Sequence, residues 1–394
     1  MSALSAAAEI GATAPAQGIT PAASGRDLRL DLFRGLALWF IFLNHVPDNV
    51  ANWITSRNFG FSDATEIFVF ISGYTAAMVY GRLMETGGVV VTGARILRRA
   101  WQLYLAFIVL FVIYLAEISY VAGSFSNPLY AEEMGALQFL SEPDEALIQA
   151  LLLRFRPANM DVLPLYIVLL ASFPPVLWAL QRWPDLTLGA SVLLWIAATT
   201  TGFNLQAYPE DRIWFFNPFA WQMLFVFGGW CGLGGGDRLS RLIQSPLVIA
   251  LSAVYLVISL LVVISWWWPP LDGIVPPVIA AIIYPISKTD LSVLRLVHFL
   301  ALAVVIVRLV PVNLPVLSSP LLRPMILCGQ NSLEVFCFGV FLSFAAHFVL
   351  NEISGTLAMQ FLVSVTGIVL MVILSSLLSW YGRVEREIAA RKYG

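Results

Sequence analysis

Charged residues are scarce in this chain. Asp, Glu, Lys and Arg together make up 12% of its 394 residues, whereas 59% are hydrophobic. A soluble globular domain carries about 25% charged residues, so the composition excludes that class and indicates a polytopic membrane protein. Lysine is nearly absent, because only Lys288 and Lys392 occur. Nothing in the charge pattern, whose net value is -2, suggests nucleic-acid binding.

Cysteine and histidine are equally sparse. The three cysteines (Cys231, Cys328 and Cys337) lie in apolar stretches without metal-ligand spacing, so we expect buried thiols and neither a disulfide framework nor a metal site. None of the three histidines falls in an HxxxH or HExxH pattern. We therefore expect no metal and no permanently bound cofactor.

The organisation of the chain follows from where its apolar runs lie. Residues 1–25 are rich in Ala, Gly, Pro, Ser and Thr and lack the basic and apolar regions of a secretory signal, so we expect a disordered cytoplasmic tail. Residues 26–382 form the predicted membrane domain. Residues 383–394 form a basic tail, also predicted to be cytoplasmic.

The predicted fold is all-α, with ten membrane spans of about 20 residues each. The spans are expected at 32–50, 63–83, 99–121, 162–181, 186–203, 217–234, 246–267, 293–311, 325–350 and 358–382. The apolar stretch Ile274–Ser287 is short and rich in proline, so we interpret it as an interfacial or re-entrant piece. With the N-terminus inside, fifteen Arg and Lys residues fall in inner segments and six in outer segments, which predicts cytoplasmic termini.

A polar seam runs along the first predicted span. Asp31, Arg34, His45 and Asp48 recur at helical spacing, so they share one face. Arg34 and His45 are eleven residues apart, about 16 Å along the helix. Charged groups inside a bilayer are costly and usually functional. We expect His45 to act as a general base with its tautomer fixed by Asp48, the alternative being a buried packing histidine.

Three further groups of polar residues are candidates for chemistry. Glu66 opens the second span at the level where the first ends, and it could meet His45 there, while Asp63 is a predicted N-cap. Arg295 and His298 are one turn apart at the start of the eighth span, where an outer anchor and a buried histidine are the alternative. Asn331 and Ser332 lie within the ninth span.

Another cluster is basic and is predicted to face the cytosol. Arg95 and Arg98 share a helical face, and Arg99 follows. Guanidinium groups suit bidentate contacts with phosphate, so a phosphorylated cytosolic ligand is one interpretation and a topology anchor is the other. The predicted outer loops, 122–161 and 204–216, mix acids, arginines and aromatics. They suit a sugar-like ligand, although solvated loops would have the same composition.

These motifs together resemble the acyltransferase-3 superfamily of membrane acyltransferases, and most closely its OpgC branch. The resemblance covers about residues 26–382. It depends on the pair Arg34 and His45, on Thr65–Tyr74, on the pair Arg95 and Arg98, on Lys288–His298 and on Gly329–Leu333.

The resemblance implies an enzyme of the bacterial inner membrane that moves an acyl group from cytosolic acyl-CoA, with succinyl-CoA as the expected donor, to a hydroxyl of a periplasmic glucan or other glycan. Arg95, Arg98 and Arg99 would hold the CoA phosphates. His45 would be the base, oriented by Asp48 or Glu66. Direct transfer and an acyl-His45 intermediate both stay open, as does a homo-oligomer.

Other residues receive supporting roles under the same resemblance. Arg34, or Asn331 with Ser332, would stabilise the oxyanion. Asn331, Ser332, Arg295 and His298 would contact substrate. The main rival is a secondary transporter or glycan flippase, in which the seam would be a proton relay. A membrane scaffold is the third alternative, and it does not explain the intramembrane charges.

Overall fold

The computed structural model describes residues 27–124, 129–271 and 273–393. Over these residues the chain is helical, and it contains no strand beyond one isolated antiparallel bridge between Gln206 and Ile213. The predicted all-α class is therefore confirmed for the described part. The tail predicted at 1–25 lies outside the described residues, and the division into three domains stays a prediction.

Seventeen α-helices are present in the described residues, joined by short turns. They are α1 Leu28–His45, α2 Ala64–Ser124, α3 Leu129–Glu133, α4 Leu137–Ser141, α5 Pro143–Leu151, α6 Val162–Ala171, α7 Phe173–Arg182, α8 Pro184–Thr201, α9 Pro218–Trp230, α10 Gly236–Arg238, α11 Ser240–Gln244, α12 Pro246–Ser265, α13 Pro277–Ile283, α14 Val293–Leu309, α15 Arg323–Gln330, α16 Ser332–Glu352 and α17 Leu357–Tyr393. Single 3-10 turns occupy Val50–Ile54, Ser56–Asn58, Pro269–Leu271 and Pro315–Ser318, and a π-helical turn occupies Cys231–Gly235.

Helix α2 folds back on itself at Gly88. A straight helix of its 61 residues would be about 90 Å long. However, Thr65 near its start lines a cavity with Asn159, and Tyr114 near its end is hydrogen-bonded to that same Asn159. Gly88 has φ 73° and ψ 173°, a conformation that glycine adopts without strain. The helix is therefore two antiparallel arms.

The turn at Gly88 changes one sequence expectation. The second and third predicted spans both lie in α2. The prediction of a loop between them, over 84–98, is wrong, because the chain is helical on both sides of Gly88. No proline interrupts the segment, and the chain reverses at the second residue of its Gly87–Gly88 pair.

Four helices of the described chain are individually long and apolar enough to cross a membrane: α2, α12, α16 and α17. A fifth crossing results if α6 and α7, which bend by 55° at their junction, are taken as one broken span. Every one of the ten predicted spans overlaps a helix, but the number ten stays a prediction. The short α13 lies within the stretch predicted to be too short to span.

Helix α1 lies at the centre of the bundle, where it packs against α15, α16 and α2. A Cβ atom added to Gly35 would come within 1.8 Å of the Met325 carbonyl oxygen, and one added to Gly329 within 1.9 Å of the Asp31 oxygen. Helices α1 and α15 therefore cross with their backbones in contact, as small residues permit in membrane bundles. Gly73 makes the same kind of close contact with α9.

The two ends of α1 define the two ends of the bundle. At what we call the Asp31 end, Gln330 Nε2 donates to Asp31 Oδ2 over 3.3 Å. At the His45 end, Asn49 Nδ2 donates to Ser364 Oγ of α17 over 2.9 Å. Arg383 lies nineteen residues beyond Ser364 on α17, about 28 Å along that helix. The two ends are thus separated by about the thickness of a bilayer core.

Candidate active site

A cavity of about 550 Å³ opens at the His45 end. The end of α1, the segment before α2, the loop before α6 and the loop before α14 all contribute to its walls. Its polar lining includes Asn44, His45, Arg57, Ser62, Asp63, Thr65, Asn159, Asp161, Lys288 and Arg295. A concave space of this size with a few convergent polar groups is typical of a small-molecule or substrate site.

His45 is the last residue of α1 and is half-buried in the cavity wall. Its Nδ1 atom is buried and has no hydrogen-bond partner among the described residues. The carbonyl oxygen of His45 accepts a bond of 3.5 Å from Asn159 Nδ2, which ties the end of the helix to the opposite wall. The imidazole therefore lies beside an open space without a side chain that fixes its tautomer.

Asp48 does not take the role predicted for it. Helix α1 ends at His45. Val46 precedes Pro47, and a following proline disfavours the helical conformation, so the Val46 backbone is extended (φ -88°, ψ 107°). The helical register that would bring Asp48 beside His45 is lost. Asp48 is exposed, and no hydrogen bond joins it to His45 in the described chain.

The start of α2 is a capping box. Asp63 Oδ1 accepts a bond of 2.8 Å from the Thr65 N–H, and Glu66 Oε2 accepts one of 2.9 Å from the Asp63 N–H. Such reciprocal bonds satisfy backbone donors that a helix N-terminus leaves unpaired. The predicted N-cap at Asp63 is confirmed.

Both carboxylates of the capping box also pair with cations. Arg295 donates to Glu66 Oε1 (Nε, 2.8 Å) and to Asp63 Oδ2 (3.1 Å), and Lys288 Nζ lies 2.5 Å from Asp63 Oδ2. Burial alone would raise the pKa of Asp63, but the charges of Lys288 and Arg295 outweigh it and hold that pKa below its ordinary value. Glu66 therefore pairs with Arg295 and makes no hydrogen bond to His45.

The Lys288 loop is held in place by side chains that the sequence analysis did not single out. Trp221 Nε1 donates to the Lys288 carbonyl oxygen over 3.0 Å, and Trp195 Nε1 donates to that of Leu291 over 3.1 Å. Asn217 Nδ2 donates to Asp290 Oδ1 over 3.0 Å. The family resemblance includes this loop (Lys288–His298), but the tryptophans that anchor it are distant in sequence and no local pattern identifies them.

His298 lies behind the cavity and does not line it. Its Nδ1 accepts a bond of 3.2 Å from the Ser62 N–H, and its ring packs so closely on Gly60 that a Cβ there would come within 1.8 Å of Nε2. Arg295 lines the cavity, as a substrate contact requires, whereas His298 positions the segment that precedes α2.

Arg34 and Asn331 lie away from the cavity. Arg34 Nη2 donates to Thr75 Oγ1 over 2.7 Å, three turns before His45 on α1. Asn331 Nδ2 donates to Ser379 Oγ over 2.8 Å and to the carbonyl oxygens of Leu327 and Ser375. Ser332 begins α16 beside it. Asn331 and Ser332 are at the Asp31 end, about 20 Å from His45 along α1, so they do not reach an oxyanion beside His45.

The three predicted phosphate ligands lie just beyond the turn at Gly88. Arg95 and Arg98 are exposed and form no ion pair or side-chain hydrogen bond among the described residues. Arg99 Nη1 donates to Gln102 Oε1 over 3.2 Å. At least two of the three guanidinium groups are therefore available to an anionic ligand.

The comparison with known families places these features in context. A family model described as OpgC protein matches residues 26–383, nearly the whole chain. This chain belongs to the OpgC family. Membership makes it a glucan-modifying membrane protein with a transferase activity. No curated protein and no solved structure matches the sequence.

In this OpgC protein the cavity carries an aromatic wall as well as charges. Its aromatic lining is Phe61, Phe215, Phe216, Trp266 and Trp267. Asp161 in the same lining pairs with Arg156 at 2.9 Å, and Arg156 lies 4.5 Å from the centre of the Trp214 ring. Burial raises the pKa of Asp161, although the Arg156 charge opposes that shift. Stacking surfaces beside hydrogen-bonding groups suit a carbohydrate.

The charges that line the cavity of this OpgC protein leave one cation unmatched. Lys288 and Arg295 share the carboxylates of the capping box, and Asp161 has Arg156. Arg57 is exposed at the wall and takes part in no ion pair within the described chain. An anionic group that entered the cavity would therefore find a single available positive charge.

Proposed function

We propose that this OpgC protein is an O-acyltransferase that moves a succinyl group from cytosolic acyl-CoA to a hydroxyl of a periplasmic glucan. The observation that carries the proposal is the His45 cavity, in which an imidazole with an unengaged Nδ1 lies beside an aromatic wall and a set of fixed charges.

The proposed topology has ten spans in the bacterial inner membrane with both termini in the cytoplasm. The Asp31 end then faces the cytosol and the His45 end faces the periplasm. This orientation gives the glucan access to the cavity from outside. It also leaves Arg95, Arg98 and Arg99 on the side where acyl-CoA is made, and it follows from the excess of arginine in the segments assigned to the inside.

In the proposed reaction His45 removes the proton of a glucan hydroxyl. The hydroxyl oxygen forms a bond to the thioester carbonyl carbon, the carbon–sulfur bond breaks, and the proton passes from His45 to the leaving thiolate. The products are the glucan ester and free CoA. Lys288, which lines the cavity, replaces Asn331 and Ser332 as the candidate to stabilise the oxyanion.

The donor is proposed to approach from the other side of the membrane. Arg95 and Arg98, with Arg99 beside them, hold the CoA phosphates as bidentate partners. The pantetheine arm reaches past Arg34, which lies half-buried three turns before His45. The distance of about 16 Å between Arg34 and His45 is within reach of an extended arm.

The charges of the cavity lining support succinyl as the proposed acyl group. A succinyl group carries a carboxylate at its far end, and an acetyl group does not. Arg57 is the cation of the cavity lining that lacks a counter-charge among the described residues, so it suits the succinyl carboxylate. This is the observation that favours succinyl over acetyl.

Mass spectrometry of periplasmic glucans from strains with and without the gene tests the function. Each succinyl group adds about 100 Da and each acetyl group about 42 Da. We expect the larger increment only when the gene is present. Glucans of unchanged mass, together with glucan movement that consumes no acyl-CoA, would favour a transporter instead.

A further inference from the structure

A second pocket, of about 240 Å³, lies at the Asp31 end between α15 and α17. Arg323, the first residue of α15, and Arg383 on α17 both line it, and both are exposed. The hydroxyl residues Ser376 and Ser379 complete its polar lining, and no acidic residue contributes. The pocket therefore carries two positive charges and two hydroxyl groups, a set that suits a phosphate.

The position of this pocket along α17 corresponds to the boundary between the bilayer core and the headgroups. Helix α17 is one of the helices apolar enough to cross a membrane. Trp380 and Tyr381 are 57% and 62% exposed one turn before Arg383, where interfacial aromatic residues are expected. Arg383 is about 28 Å along α17 from Ser364, so it reaches the headgroup layer opposite the active-site cavity.

The rest of the pocket is apolar. Pro324, Leu327 and Val372 line it, and Val372 lies toward the middle of α17. Ile373 and Leu377 on the same helix are about half exposed, at 48% and 57%, which places apolar side chains against lipid. A ligand with a phosphate at one end and a hydrocarbon chain at the other fits this gradient.

One hydroxyl of the pocket is already oriented. Ser379 Oγ accepts a bond of 2.8 Å from Asn331 Nδ2. Because that lone pair is used, the hydroxyl proton of Ser379 is available to donate to a ligand. The bonds of Asn331 to α17 thus help to shape the wall of this pocket.

We propose that this pocket binds the phosphodiester of an acidic phospholipid. Arg323 and Arg383 contact the phosphate with help from Ser376 and Ser379, and one acyl chain lies along Leu327. The lining has two cations and no acid, so it selects an anionic headgroup over a zwitterionic one. The site is separate from the His45 cavity and does not depend on the proposed acyl transfer.

Native mass spectrometry of the purified full chain tests this site. The protein is titrated with dioleoylphosphatidylglycerol, with dioleoylphosphatidylcholine and with CoA. The test variant combines Arg323→Gln with Arg383→Gln. The matched control combines Arg386→Gln with Arg391→Gln, which removes two charges from the same exposed end of α17 but leaves the pocket lining intact.

We expect the wild type and the control to bind one phosphatidylglycerol, and the test variant to bind it on the order of thirtyfold more weakly. Replacing both arginines by lysine should recover most of the affinity, since the charges return. If the glutamine variant does not fold, Ser376→Ala with Ser379→Ala should still weaken binding several-fold. Equal affinity in test and control variants would overturn the site. Displacement of the lipid by CoA would assign the pocket to the donor phosphates instead.

Discussion

No acid is hydrogen-bonded to His45 among the described residues. Its Nδ1 is unengaged, Glu66 pairs with Arg295, and Asp48 is exposed beyond the end of α1. The orientation of the imidazole is set by its place at the end of a helix and by the cavity wall. A bound hydroxyl would therefore be the hydrogen-bond partner that fixes the tautomer.

We expect His45→Gln to lower acyl transfer by about 10²- to 10⁴-fold, because it removes the proposed general base. Asp48→Asn should leave the rate within about twofold, since no bond links Asp48 to His45. Both rates are measured from the ester content of isolated glucans. An Asp48→Asn loss as large as that of His45→Gln would restore the orienting role to Asp48.

Arg57→Gln is expected to change which acyl group is transferred. Loss of one charge-assisted contact should lower succinyl transfer roughly ten- to hundredfold, while acetyl transfer from acetyl-CoA stays the same. Arg212→Gln is the matched control. Arg212 is exposed and lies three residues before Phe215 of the aromatic wall, but it does not line the cavity. Competition between the two donors gives the ratio. An unchanged ratio would remove this role while leaving acyl transfer itself intact.

At the scale of elements, the capping box of α2 joins that helix to α14 and to the Lys288 loop. The folded pKa of Asp63 lies below its ordinary value near 3.8, so the stability it adds is present above that value and is lost as the pH falls through the folded pKa. Lys288→Gln should raise the folded pKa. The variant should therefore melt at a lower temperature at neutral pH, and its acid-induced fall in melting temperature should be smaller and should end at a higher pH. Lys288→Arg should keep the wild-type profile.

The crossing of α1 and α15 gives a second prediction at this scale. Gly35→Ala places a methyl group against the Met325 backbone and should lower the free energy of unfolding by about 1–3 kcal/mol. Gly87→Ala is the control, because its nearest atom would be 3.6 Å away, at ordinary contact distance. Thermal unfolding in detergent compares them. Equal melting temperatures would show that the crossing can open without cost.

Local sequence patterns predicted part of these elements well. The capping role of Asp63 follows from neighbours within one turn, and it is confirmed. The partner of Glu66 is 229 residues away, so no local pattern could show that it is Arg295 and not His45. The hydrogen bonds of Asn331 to α17 could not be predicted from the sequence either, because they depend on how α15 and α17 pack.

At the scale of the whole molecule, the positive-inside pattern makes a prediction about sidedness. In a variant without the native cysteines, Glu210→Cys should react with a membrane-impermeant maleimide in cells whose inner membrane is intact. Arg386→Cys should react only after that membrane is opened. Both positions are exposed. The reverse labelling pattern would place the His45 cavity in the cytosol and exclude a periplasmic acceptor.

The separation of Glu66 from Arg295 also has a consequence for synthesis. At about 5–20 residues per second, the ribosome needs roughly 10–50 s to make the 229 residues between them. During that interval the carboxylates of Asp63 and Glu66 lack Arg295, and burying them unpaired costs free energy. The His45 cavity is therefore completed late in biogenesis. Chains truncated before α14 would carry unmatched carboxylates, a feature by which membrane proteases could distinguish them from finished enzyme.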